Sequence, residues 1–95
     1  MKIILKHHAK IRMIQYNINE QIIRDTLINS TETIKDHNSN NKYLSYKFLR
    51  KDHKKIITEY LVLVHTDKTS KIIYIITLYI TSKRRLKGHG FIIDK

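Results

Sequence analysis

Two stretches of the chain, residues 55–65 and 71–81, are almost unbroken runs of Ile, Leu, Val, Tyr and Thr, separated by the polar five Thr66-Asp67-Lys68-Thr69-Ser70. Runs this rich in β-branched and aromatic residues on either side of a short polar break predict a β-hairpin, and their lack of polar alternation suits strands covered on both faces or central in a sheet. Residues 42–50 alternate instead. Tyr43, Ser45, Lys47 and Leu49 fall on one face and Leu44, Tyr46, Phe48 and Arg50 on the other, the second reading as the more buried. The turns Asn38-Ser39-Asn40-Asn41 and Lys51-Asp52-His53-Lys54 bracket this strand, and Thr31–His37 has room for a further short one.

The first third of the chain has a different period. Ala9, Met13 and Tyr16 recur at i, i+4 and i+7, the spacing of an apolar helical stripe, which predicts a helix from about Lys6 to Tyr16. A second helix begins at Asn19. Its cap is Asn19, Glu20 lies in the first turn, Ile18 is placed to staple onto Ile23, and the buried stripe is Ile22, Ile23, Thr26 and Leu27 with the end near Asn29. Glu20, Arg24 and Asp25 face outward. The lead Lys2–Leu5 is too short to distinguish a brief strand from a first helical turn. The predicted architecture is a single α+β domain over residues 1–95, two N-terminal helices packed on a small three- to four-stranded antiparallel sheet. Beyond it, Ser82–Gly90 reads as basic and flexible, and Phe91-Ile92-Ile93 as a segment that docks on the core or adds an edge strand.

Charge changes the picture more than any other aspect of composition. Nineteen Lys and Arg against eight Asp and Glu give a formal net charge of +11, spread evenly over both halves of the chain, so the excess is no basic tail on a neutral domain. A field of this sign favours a polyanion, with nucleic acid as the leading partner. The 41% hydrophobic content can build one modest core. With no cysteine, a disulfide framework, a thiol nucleophile and a thiolate metal site are excluded. No apolar run reaches the ~20 residues of a membrane span, and the opening Met-Lys-Ile-Ile-Leu is too short for a signal sequence, so a cytoplasmic location without membrane contact is expected. The six histidines form no His-x-x-x-His pair and join no carboxylate cluster, there is no Gly-rich phosphate loop and no Gly-x-Ser-x-Gly elbow, and neither a metal nor a cofactor is implied.

Candidate chemistry sits at the two ends. His8 and Arg12 share one face of the first helix at i, i+4, and Tyr16 follows one turn later. Lys83, Arg84, Arg85 and Lys87 put four cations into five positions near the other end. Cleaving RNA through its own 2′-hydroxyl needs a base, an acid and a cationic partner for the phosphorane, and His, Tyr, Arg and Lys can supply them. His8, Ala9, Arg12, Met13 and Ile18 also stand in the order of a known motif. The segment resembles the His-Ala-x-x-Arg-Met-x-x-Arg-Gly-Ile opening of a family of small uncharacterised prokaryotic domains related to the RelE/ParE toxin superfamily, with Tyr16 in place of the second Arg and Asn17 in place of Gly. Asn17, like Gly, tolerates the left-handed conformation that ends a helix.

The resemblance implies a RelE/ParE-like fold and a toxin of a toxin–antitoxin pair, an endoribonuclease on mRNA neutralised by an antitoxin protein that covers its basic face. In that reading His8, Arg12 and Tyr16 are catalytic, and Lys83, Arg84, Arg85 and Lys87 bind phosphate. Two other classes stand beside it. One is a nucleic-acid-binding domain without catalysis, its cations on backbone phosphates and its Tyr residues offering stacking surfaces. The other is an interaction module that pairs through a sheet edge, with His8 and Arg12 serving only to fix the helical corner.

Overall fold

The computed structural model describes residues 1–92. In chain order the elements are β1 (Lys2–Leu5), α1 (His7–Gln15), α2 (Glu20–Ile28), β2 (Glu32–Lys35), β3 (Tyr43–Lys51), β4 (Thr58–His65), β5 (Ile72–Thr81) and α3 (Lys83–Gly88). All five strands join one sheet in the order β1-β5-β4-β3-β2. β2 to β5 are antiparallel neighbours, whereas β1 runs parallel to β5, with Lys2 opposite Ile72 and Leu5 opposite Ile75.

The expected three- to four-stranded antiparallel sheet is therefore corrected to a five-stranded mixed sheet with a third helix. Both additions escaped notice for physical reasons. Lys2–Leu5 spans four residues, too few to show a period, and a parallel partner far along the chain leaves no turn between the two strands to signal it. Ser82–Gly90 is not the flexible run expected from its charge. It folds as α3 because the Ser82 side chain accepts from Arg85 N at its start and its one apolar residue, Leu86, is fully buried.

The helical corner forms as its residues suggest. Asn17 adopts φ 55°, Ile18 N–H donates to the Met13 carbonyl and Asn17 N–H to the Ile14 carbonyl, which closes α1 with a Schellman motif. Asn19 Oδ1 then accepts from Ile22 N at 2.9 Å to cap α2. Ile18 and Ile23 are buried in the same cluster.

Alternation along the central strands splits the core in two. Leu61 and Leu63 of β4, with Ile73, Ile75 and Leu78 of β5, pack under α1 and α2 through Ala9, Ile23 and Leu27. On the other face Val62 joins Leu44 and Tyr46 of β3 beneath Leu86 and Phe91. So α3 and Phe91 roof the face that the helix pair leaves open. Phe91 docks on the core, as one of the two expectations for that segment had it, while Ile93 lies outside the described residues.

The expected buried face of β3 holds only for its first half. Leu44 and Tyr46 are buried, but Phe48 is 51% exposed and Arg50 is exposed, while Ser45 on the opposite face is fully buried and Leu49 packs under the helices. β2 flanks β3 only from Tyr43 to Tyr46, and a bulge between Phe48 and Arg50 re-aims the rest. β4 is also shorter than the apolar run, leaving Ile56 and Ile57 exposed in the preceding turn.

Because Leu86 is the buried anchor of α3, Leu86→Ala is expected to cost about 2–5 kcal/mol. Urea denaturation followed by circular dichroism measures it.

Candidate nucleic-acid interface

α3 presents Lys83, Arg84, Arg85 and Lys87 to solvent while Leu86 points into the sheet. The four cations are thus displayed on one short, docked helix. None forms an ion pair with an acid among the described residues. Tyr60 pairs across the sheet with Thr81, the residue before the Ser82 cap, so α3 begins beside Tyr60.

From there a row of aromatic rings runs over the same face. Phe91 meets Tyr46 edge-on at 4.6 Å, Tyr46 meets Tyr60 at 5.9 Å, and Tyr60 meets Phe48 at 6.2 Å, each in a T-shaped arrangement. The row passes from buried to open. Tyr60 is half-buried and Phe48 projects into water, so one end anchors the platform and the other is available for stacking. Sequence reasoning placed Tyr46 and Phe48 on one face but took that face as buried. The available signal was an aromatic pair at i, i+2 on a strand followed by a basic segment.

The residues expected on α1 lie across the sheet from α3. Arg12 Nη1 donates to the Tyr16 hydroxyl at 2.7 Å, and its guanidinium lies 5.9 Å from the centre of that ring. Arg50 Nη2 donates to the Tyr16 carbonyl at 3.1 Å while Arg50 Nε donates to Glu59 at 2.8 Å. These contacts tie the end of α1 to β3 and β4, and Tyr16 packs against the helix-side core. His8 is exposed one turn earlier, and its side chain makes no hydrogen bond among the described residues. Arg12 and Tyr16 are brought together. They lie on the opposite side of the sheet from the Lys83–Lys87 cations, and their contacts are those of a fixed corner.

A polar chain that no spacing announced crosses the helix side of the sheet. His65 is fully buried, Nδ1 lies 2.6 Å from the Thr66 carbonyl, and Nε2 lies 2.6 Å from Ser45 Oγ. A carbonyl only accepts, so Nδ1 carries the proton and Nε2 accepts from the Ser45 hydroxyl. Ser45 continues to Thr33 at 2.7 Å, Thr33 to Ser30 at 3.1 Å, and Lys68 Nζ donates to Ser30 Oγ at 2.7 Å. The Ser45 and His65 side chains resemble a nucleophile and its base, but both are sealed from solvent. They act as a polar clasp between β2, β3 and β4. His65 was expected to end a strand at a turn, and it does.

Among the described residues no group of three His, Asp or Glu side chains is arranged to hold a metal ion, and no helix is long and apolar enough to cross a membrane. Compared with known proteins, the chain matches no family model, no curated protein and no solved structure.

Burial pushes the His65 imidazole below its ordinary value of 6.5, outweighing the Thr66 carbonyl that favours the charged ring. The folded state therefore prefers neutral His65, and its contribution is complete above about pH 6.5 and is lost as the pH falls below it. The melting temperature is expected to drop as the pH falls from about 6.5 to about 5, and His65→Gln to flatten that slope while lowering stability throughout. Differential scanning calorimetry across the pH series checks it.

Proposed function

We propose that this protein binds single-stranded RNA on the α3 side of its sheet. One observation carries the reading: four solvent-facing cations on α3 begin beside an aromatic row that ends in the exposed ring of Phe48. Cations alone attract any polyanion. A flat ring open to stacking selects strands whose bases are unpaired, and each stacked base contributes about 1–3 kcal/mol irrespective of sequence.

The likeness of residues 8–18 to the opening of RelE/ParE-related domains extends the proposal to biological role. On that basis the RNA is mRNA, the protein is the toxin of a toxin–antitoxin pair acting as an endoribonuclease in the cytoplasm, and the antitoxin is a protein that covers the basic α3 face. The contacts of Arg12 and Tyr16 favour a structural role for the α1 residues over a catalytic one.

Replacing Lys83, Arg84 and Lys87 together by Gln is expected to weaken binding to an unstructured oligoribonucleotide. It should also reduce the slope of log K against log salt by about 2, at roughly 0.7 per phosphate contact on a single strand. Phe48→Ala should cost about 5- to 150-fold in affinity with the salt slope unchanged, the equivalent of one lost stacking contact. His8→Ala should leave both quantities as they are. Fluorescence anisotropy titrations read all three variants. Equal binding by the triple variant and the parent would refute this interface. Primer extension on a defined mRNA in a cell-free translation reaction tests the toxin role, through cuts made only when the protein is present.

A further inference from the structure

The turn between β3 and β4 puts apolar side chains into water. Ile56 is 76% exposed and Ile57 54%, side by side at the tip of the hairpin. The tip is held in place by its own hydrogen bonds. Asp52 Oδ1 accepts from Ile56 N at 2.8 Å and from Ile57 N at 3.1 Å, Lys55 N–H donates to the Asp52 carbonyl at 2.8 Å, and Asp52 N–H donates to the Ile57 carbonyl at 2.9 Å. The bond from Ile57 N–H, and then that from Ile56 N–H, hold the Asp52 carboxyl below its ordinary value, so it stays ionised. Lys55 takes φ 58°, an uncommon conformation for a residue other than Gly, Asn or Asp. The hydrogen bonds that close the turn use only the backbone of Ile56 and Ile57, so the turn itself sets no demand for apolar side chains at either position.

Cations surround the pair. Lys51, Lys54 and Lys55 are exposed within the same turn, whereas its acid, Asp52, is engaged by the turn's own backbone. Ile57 also lines an open hollow of about 300 Å³ with Ile80, Ser82 and Arg85, which sets the tip beside the first turn of α3. The tip thus offers bare hydrocarbon among positive charges. RNA supplies phosphates for the lysines but no hydrocarbon phase, and a base stacks on an aromatic face that Ile lacks. A second copy of this chain brings +11 against +11. Each partner in a stable protein complex buries about 800 Å², far more than two side chains present. A bilayer with acidic headgroups meets both features at once, with acyl chains for the Ile pair and negative charge for the lysines, and it requires no matched surface.

We propose that the β3–β4 tip docks this protein on anionic lipid surfaces, with Ile56 and Ile57 entering the boundary between headgroups and acyl chains while Lys51, Lys54 and Lys55 lie against the headgroups. The proposal stands apart from the RNA-binding reading and rests on different residues. Contact with a membrane surface needs no spanning segment, so the absence of a long apolar helix among the described residues does not bear on it. It replaces the expectation that the chain keeps clear of membranes.

The test sediments the full chain with phosphatidylcholine vesicles that contain or lack phosphatidylserine. Because a chain of +11 adheres to any anionic surface, the deciding readout is the apolar pair. Binding to the phosphatidylserine vesicles is expected, with a loss of about 10- to 100-fold in partitioning when Ile56→Ser and Ile57→Ser are combined. Lys51→Gln and Lys54→Gln should each cost about fivefold, an effect that shrinks as salt rises. The chain has no Trp, so Ile56→Trp supplies a single reporter whose emission should shift to the blue on these vesicles and be quenched by brominated acyl chains. All these side chains are exposed, and circular dichroism checks that each variant keeps the fold. No binding to phosphatidylserine vesicles would overturn the proposal, as would a Ser pair that partitions like the parent or an Ile56→Trp emission that stays unshifted. A Ser pair that weakens binding to an oligoribonucleotide and leaves vesicle binding unchanged would overturn it too, and would assign the tip to the RNA interface.

Discussion

The pairing of β4 with β5 governs the rest of this structure. Leu61, Val62, Leu63, Ile73, Ile75 and Leu78 are fully buried, and because successive side chains on a strand point to opposite faces, this pair exposes apolar surface on both sides of the sheet. Each such side chain contributes about 1.5–3 kcal/mol only when its own side is covered. One helical layer cannot satisfy that requirement. The helix pair α1–α2 covers one face, and the cost of leaving the other open is what holds α3 and Phe91 against it.

That second cover gives the molecule its two chemically different sides. The helix-pair side is closed by specific polar contacts: the Arg12–Tyr16–Arg50–Glu59 set, the Lys47–Asp25 ion pair at 2.6 Å, and the clasp from Lys68 to His65. These groups are engaged with one another, which leaves fewer of them to offer a ligand. The α3 side is covered by one short helix and one ring, so its cations, the outer aromatics and a hollow beside His37 remain at the surface. The same scarcity of cover that makes this face marginal as a core makes it usable as an interface.

How much of this could be read from residue order follows from the range of each interaction. The α1–α2 corner was legible in detail, down to Asn19 as cap, Asn17 in the left-handed region and Ile18 beside Ile23, since each contact spans five residues or fewer. The hairpin of β4 and β5 was legible for the same reason. β1 was not, because its partner lies some seventy residues away with no turn between them, and neither was α3, whose one anchoring Leu is outnumbered by cations until a sheet exists to receive it. The α1 candidates were marked by correct local spacing, yet helical adjacency brought Arg12 to Tyr16 without bringing either to the basic helix.

Residue order by itself determined the helix pair, the hairpin and the strongly positive field, all of which depend on near neighbours or on a sum of charges. Tertiary structure decided which polar groups meet. Ser45 reaches His65 across twenty residues, and His37 comes to stand against Gly90 across more than fifty, because strand register and the return of the chain over β2 place them there. Periodicity carries no information about register between distant strands, since sliding or reordering them keeps every local pattern while changing every cross-strand partner.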